Sequence, residues 1–133
     1  MLEIVENDLI IKKCKKCKKC RATVQVLDDC NCPCGFECCG EKMETVIPNS
    51  VDASAEKHVP TYERDGDYIN VKVNHVMEKN HYIERISLVM EHEQFTLKLG
   101  PNFPPAEAKF PYISGPTIYE YCSQHGLWKK DVE

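Results

Sequence analysis

Alternation of apolar and polar side chains is the clearest signal along this 133-residue chain. In YINVKV, residues 68–73, and FTLKL, residues 95–99, the apolar positions recur every second residue, the period of a half-buried strand. The RDGD stretch ahead of the first reads as a turn. IERISLVMEH is ambiguous by spacing, because Ile83, Ile86 and Met90 suit a helix while Ile86, Leu88 and Met90 suit a strand. Its β-branched content and strand-rich surroundings decide for strand. Residues 100–117 cannot form a helix interior, since Pro101, Pro104, Pro105, Pro111 and Pro116 interrupt them. The expected fold is therefore mainly β, with residues 58–128 forming an immunoglobulin-like antiparallel β-sandwich.

Composition divides the chain into a cysteine-rich module at 1–45, a small and polar linker at 46–57 (VIPNSVDASAEK), and the strand-rich remainder at 58–133. A chain of this length buries one ordinary core, or a small module plus a core of about a hundred residues. It contains no run of eighteen apolar residues, and MLEIVENDLI lacks the basic start and long apolar stretch of a signal peptide. The expectation is a cytoplasmic protein with no membrane partner. Thiols stay reduced there, so the nine cysteines read as metal ligands or redox groups rather than a disulfide scaffold.

The formal net charge of -4 hides an asymmetry. KKCKKCKKCR, residues 12–21, carries seven basic side chains and no acidic one, whereas residues 22–133 hold 10 basic and 18 acidic ones. Such an acidic body would repel phosphates, so no nucleic-acid partner is expected. Lysines interleaved with cysteines would instead offset the negative charge of a metal held by thiolates and lower the thiol pKa values.

Eight of the cysteines lie between Cys14 and Cys39, enough for two four-thiolate sites. The pairs Cys17-x2-Cys20 and Cys38-Cys39 flank a stretch that reads as a short strand and a loop. Two sulfurs of a C-x2-C knuckle converge on one ion, which points to a tetrahedral S4 site for iron or zinc. CKKCKKC is also similar to the C-x2-C-x2-C opening of some iron–sulfur cluster sites, so a [4Fe-4S] cluster using another subset of Cys14, Cys30, Cys32 and Cys34 stays open.

The ninth cysteine, Cys122, lies three residues before His125 in CSQHGLW. His58 occurs in EKHVP, and His75 and His81 are six residues apart in NHVMEKNHY across an expected turn. C-x2-H is a ligand spacing, and neutral imidazoles with one thiolate suit iron, copper or zinc. Four histidines and a thiolate exceed the protein ligands of an ordinary catalytic zinc, which argues against hydrolysis. His92, in MEHEQ, fits no such pattern and reads as a surface strand residue.

These fragments resemble two modules of the desulfoferrodoxin and superoxide reductase (neelaredoxin) family. CKKCRATVQVL followed by ECCGEKM is similar to the desulforedoxin-type module, which implies an Fe(Cys)4 centre on Cys17, Cys20, Cys38 and Cys39. Arg21 stands where that module has glycine, and DDCNCPCGF replaces its glycine-rich loop. EKHVP, HVMEKNHYI and CSQHGLW resemble, in order, the motifs of the catalytic domain over residues 56–129.

The resemblance implies a mononuclear non-haem iron with His58, His75, His81 and His125 as equatorial nitrogens and Cys122 as axial sulfur. It further implies one-electron reduction of superoxide to hydrogen peroxide, as a defence against oxidative stress. Lys57, on a mobile loop, would attract superoxide and organise water for protonation, and Glu56 would take the sixth position of the ferric site. A rubredoxin-like electron donor and a homodimer are implied as well. Val76 and Ser123 replace a common proline and a common asparagine, neither at a ligand position. The alternative is a non-enzymatic iron electron-transfer protein, from which Glu56 and Lys57 beside His58 distinguish a reductase.

Overall fold

The computed structural model describes residues 8–14, 20–28, 33, 35–112 and 115–133. They group into two compact units, Leu9–Ile47 and Pro48–Glu133, with Asp8 belonging to the second. Among the described residues no helix is long and apolar enough to cross a membrane.

In the smaller unit, β1 (Ile10–Lys13) lies between β2 (Thr23–Val26) and β5 (Glu44–Thr45), antiparallel to both. A hairpin pairs β3 (Glu37–Cys38) with β4 (Glu41–Lys42) through a two-residue turn. Its central residues Cys39 (φ 53) and Gly40 (φ 80) are both left-handed. That is the backbone of a type I′ turn, whose twist matches its strands and whose second position favours glycine. The Cys-Cys-Gly sequence thus bends the chain so that adjacent thiols stand at a hairpin tip.

The larger unit opens with a single helical turn, α1 (Ala55–His58), and continues as strands. β6 (Thr61–Asp65), β7 (Tyr68–Val73) and β10 (Ala106–Pro111) form one antiparallel sheet in the order β10-β7-β6. β8 (Ile83–Val89), β9 (Gln94–Lys98), β11 (Thr117–Cys122) and β12 (Gly126–Asp131) form the other, in the order β12-β11-β8-β9. The alternation read in YINVKV is realised, with Ile69, Val71 and Val73 inward and Tyr68, Asn70 and Lys72 outward. They pack with Ala106, Ala108 and Phe110 against Ile86, Leu88 and Ile118 of the opposite sheet, which makes the sandwich core. The mainly β, immunoglobulin-like sandwich expected from sequence is thus the observed fold.

Two local departures follow from backbone pairing. Along β8 the partners step from Arg85↔Tyr121 to Ile83↔Cys122, so Glu84 is the extra residue of a β-bulge. The bulge breaks strict alternation and lets Ile83 and Ile86, three apart, both point into the core. His92 is not in a strand as expected. Met90 N–H donates to the Glu93 carbonyl at 2.8 Å, which closes a tight turn and leaves the His92 side chain 87% exposed.

The order of strands places one set of ends together. β6 begins where β7 ends, β8 begins where β11 ends, and β12 begins where β11 ends. The connection from β7 to β8 joins the two sheets at that same end, so His58, the 74–82 loop and the 123–125 loop gather at one mouth of the sandwich.

β11 is buried along its whole length, including Glu120 at 1% exposure. Its cross-strand neighbours are Ile86 and Trp128, and neither carboxylate oxygen has a hydrogen-bond partner among the described residues. Burial pushes this carboxyl from its ordinary 4.5 up to about 9. Glu120 is therefore protonated in the folded protein and ionised in the unfolded chain at neutral pH. Folding takes up a proton, so stability is full below pH 4.5, falls as pH rises through the window, and is lowest above pH 9. The expected penalty is on the order of 3 kcal/mol at pH 7. Glu120→Gln should flatten the slope of unfolding free energy between pH 5 and 9, measured by urea titration. An unchanged slope would assign the titration to another group.

Candidate metal centres

His58 closes α1, His75 follows β7, His81 precedes β8, and Cys122 and His125 bracket the turn from β11 to β12. Local geometry explains each placement. A two-residue turn holds Glu78 opposite His81, with reciprocal backbone bonds of 2.9 and 3.2 Å. Cys122 pairs with Gly126, whose φ of 76 closes the three-residue loop between the strands. The C-x2-H-G spacing is therefore a hairpin that returns the chain and brings thiol and imidazole to one point.

The four imidazoles form a closed cycle. Ring centroids are 4.8 Å apart for His58 and His75, 4.5 Å for His75 and His81, 4.9 Å for His81 and His125, and 4.9 Å for His125 and His58. Each ring stands steeply to its neighbours, at 68° to 89°. His58 Nε2 lies 3.0 Å from His125 Nδ1, and Cys122 Sγ lies 3.5 Å from His75 Nε2 and 3.8 Å from His125 Nδ1. One donor atom from each of the five residues falls within 4.8 Å of all the others.

Hydrogen bonds set which nitrogens face inward. His58 Nδ1 donates to the Ser54 carbonyl at 2.7 Å, and His75 Nδ1 to the Val76 carbonyl at 2.6 Å. A carbonyl only accepts, so both Nδ1 atoms carry the proton and both Nε2 lone pairs face the cycle. His81 Nε2 is buried without a hydrogen-bond partner among the described residues. Burial holds the His58, His75 and His81 pKa values below the usual histidine value, with their mutual proximity adding to the effect. Burial thus favours the neutral form of these three rings. Burial pushes the Cys122 thiol up, against backbone N–H groups of Gln124 and His125 that favour the thiolate.

Such a cluster fits a metal ion better than it fits an apolar core. Metal–nitrogen bonds of about 2.1 Å at right angles place neighbouring donors about 3 Å apart, close to the His58–His125 separation. An orphaned buried nitrogen and convergent lone pairs are what an ion would satisfy. Because Cys122 is held protonated, binding would release its proton.

Trp128 was not singled out by sequence reasoning beyond its place in CSQHGLW. Its ring stacks on His58 at 4.9 Å between centroids, and its Nε1–H donates to the His125 carbonyl at 3.1 Å. Glu56 and Lys57 are exposed on α1, a single helical turn, directly before His58. Lys57 is close enough for its charge to help lower the His58 pKa.

In the smaller unit, sulfurs of Cys14, Cys20, Cys38 and Cys39 lie within 4.8 Å of one another. Cys38 Sγ is 3.5 Å from Cys20 Sγ and 3.8 Å from Cys39 Sγ, and none of the four is in a disulfide. A tetrahedral ion with metal–sulfur bonds of about 2.3 Å separates its sulfurs by about 3.8 Å, so the four thiols suit one ion. Cys20, Cys38 and Cys39 are thus placed together with Cys14, while Cys17, Cys30, Cys32 and Cys34 lie outside the described residues. Hydrogen bonds from Cys14 and Cys20 hold the Cys38 thiol above its ordinary pKa, so a metal would displace protons here too.

Comparison with known proteins adds to this geometry. The superoxide reductase of Treponema pallidum superposes with a TM-score of 0.61 and 30% identity, covering 76% of this chain and 89% of that one. The superoxide reductase of Giardia intestinalis gives a TM-score of 0.50 and 26% identity, covering 59% of this chain and 98% of that one. A desulfoferrodoxin from Syntrophotalea carbinolica is 44% identical over 98 residues, covering 71% of this chain and 77% of that protein. Residues 50–131 match the desulfoferrodoxin family model. That match takes in all five converging donors, and with the sequence identity it establishes that the chain belongs to the desulfoferrodoxin family.

Proposed function

We propose that this protein is a superoxide reductase, converting superoxide, one electron and two protons into hydrogen peroxide at a mononuclear iron. The carrying observation is the donor set, a closed cycle of four imidazoles with one thiol converging on the same point. Iron(II) held there by His58, His75, His81, His125 and Cys122 would supply the electron and one open position for an anionic diatomic.

The side chains account for the rest. Four neutral imidazoles and one thiolate leave a net positive site, which attracts an anion. The Cys122 thiolate donates electron density to the centre and so favours giving the electron up. His75, His81 and His125 are only half-buried, so water reaches the cycle and can deliver protons. Lys57, exposed one residue before His58, draws superoxide toward the mouth and orders that water. Glu56, its neighbour, is the carboxylate that would add a ligand to the oxidised iron.

Each turnover consumes an electron from outside. A rubredoxin-like donor is the partner that the family resemblance supports, and a homodimer in the cytoplasm is the expected setting. In the smaller unit, iron or zinc suits Cys14, Cys20, Cys38 and Cys39. A [4Fe-4S] cluster suits them less, because each of its cysteines holds a different iron and the sulfurs spread wider than around one ion.

A pulse of superoxide on the anaerobic iron(II) protein should yield peroxide without accompanying oxygen as the iron is oxidised. An inert centre containing zinc would sink the proposal. Cys122→Ser should abolish this reaction, and retained peroxide formation would refute the role of Cys122 as the thiolate ligand. Lys57→Ala should slow the second-order step by roughly three- to ten-fold at low salt and weaken its ionic-strength dependence. An unchanged low-salt rate would remove Lys57 from the mechanism. Glu56→Ala should alter the visible and EPR spectra of the ferric protein while sparing the first step, and identical spectra would count against its ligation.

A further inference from the structure

Three of the five donors sit on two segments that run side by side. One carries His81 between Asn80 and Tyr82, and the other places Ser123 and Gln124 between Cys122 and His125. The two spacer residues of the C-x2-H pair grip the first segment on both flanks of its histidine. Ser123 N–H donates to the Tyr82 carbonyl at 2.9 Å, and the Tyr82 N–H donates back to Ser123 Oγ at 3.1 Å. Gln124 Nε2 donates to the Asn80 carbonyl at 2.7 Å. The bonded partners are the immediate neighbours of His81.

His81 needs this more than the other rings. His58 and His75 are oriented by their own Nδ1–H bonds to carbonyls, and the His125 backbone carbonyl is held by Trp128. The buried His81 Nε2 has no partner, and no hydrogen bond to this ring appears among the described residues. Its direction comes from the backbone on either side and from the His75 and His125 rings it packs against. Regular pairing between β8 and β11 is interrupted at Glu84, so the ladder alone does not fix that backbone.

We propose that Ser123 and Gln124 are positioning residues whose side chains clamp His81 from both flanks, presetting it against Cys122 and His125 as one face of the iron site. The clamp rests on the reading that these donors hold iron. The backbone bond from Ser123 survives any substitution but proline, so the hydroxyl and the amide are the testable parts. Gln124 is exposed, and a lone hydrogen bond there would stabilise the fold little. Its effect should therefore appear in how the metal is held rather than in global stability.

The test is the rate of iron release from the iron(II)-loaded full-length protein to a ferrous chelator, with the visible and EPR spectra of its ferric form. The S123A/Q124L double variant should lose iron about ten-fold faster than the parent, the low end for loss of groups that orient ligands. Its spectra should shift while the melting temperature of the metal-free protein stays put. Ser123→Thr, which keeps the hydroxyl, should restore slow release when paired with the native glutamine. Gln124→Glu keeps the length but cannot donate when ionised, so at neutral pH it should release iron faster than the parent, and a parental rate would remove Gln124 from the clamp. Parental release rates and spectra in the double variant would overturn the clamp. So would a lowered metal-free melting temperature that Ser123→Thr fails to restore. A parent protein that takes up no iron would overturn the reading of the site itself, and the clamp with it.

Discussion

Pairing of β11 with both β8 and β12 is the constraint on which the rest hangs. This strand is buried along its length and supplies Ile118 to the core. Its last residue is Cys122, and its partners at that end are Ile83, two residues after His81, and Gly126, one residue after His125. Registering one strand against two neighbours thus brings three of the five donors together. His75 arrives because the connection between the two sheets leaves β7 at the same end, and His58 because α1 leads into β6 there. No donor depends on a long excursion of the chain, which is how short motifs far apart in sequence meet in space.

That geometry runs against ordinary burial preferences. Inward-facing imidazole nitrogens lose hydration and find only one another and the Cys122 thiol in exchange, His81 Nε2 finds no hydrogen-bond partner among the described residues, and the buried thiol resists ionisation. The same desolvation makes the site receptive, because it keeps His58, His75 and His81 neutral with lone pairs available. Nearby groups hold the strained arrangement open. Ser54 and Val76 carbonyls take the outward protons of two rings, and Trp128 covers His58 while anchoring the His125 backbone. Binding an ion satisfies all five donors at once, so metal affinity and local order are coupled.

Much of the fold was legible where one face of a strand is wet. β7 shows clean alternation in sequence because Tyr68, Asn70 and Lys72 meet solvent. β11 shows none that can be trusted, since it is buried on both faces and places Glu120 between Ile86 and Trp128. The helix-like spacing of Ile83 and Ile86 has a physical origin in the Glu84 bulge, which advances the facing by one residue. β10 was hidden among prolines, yet Pro111 is tolerated at the end of an edge strand, where a missing N–H costs little. The donors Cys122, His125, His75 and His81 were readable because tight turns keep their spacing short. The double role of Trp128 was not, because it requires His58 from elsewhere in the chain. The resemblance put Cys17 with Cys20, Cys38 and Cys39; among the described residues Cys14, from the equal CKK repeat before it, lies with those three, and Cys17 falls outside them.

The two clusters differ in ways that divide their chemistry. Four thiolates around one ion close a tetrahedron, leave no position for a small molecule and carry net negative charge. An anionic substrate is repelled from such a centre whichever of iron or zinc it holds. With iron(II) bound, four imidazoles and a single thiolate would leave a net positive charge, which draws an anion. A second thiolate in place of any histidine would cancel that charge. A histidine in place of Cys122 would keep the attraction and lose the donor that pushes the electron out. One thiol among four imidazoles therefore answers both demands of a reaction that must first attract a negative radical and then reduce it.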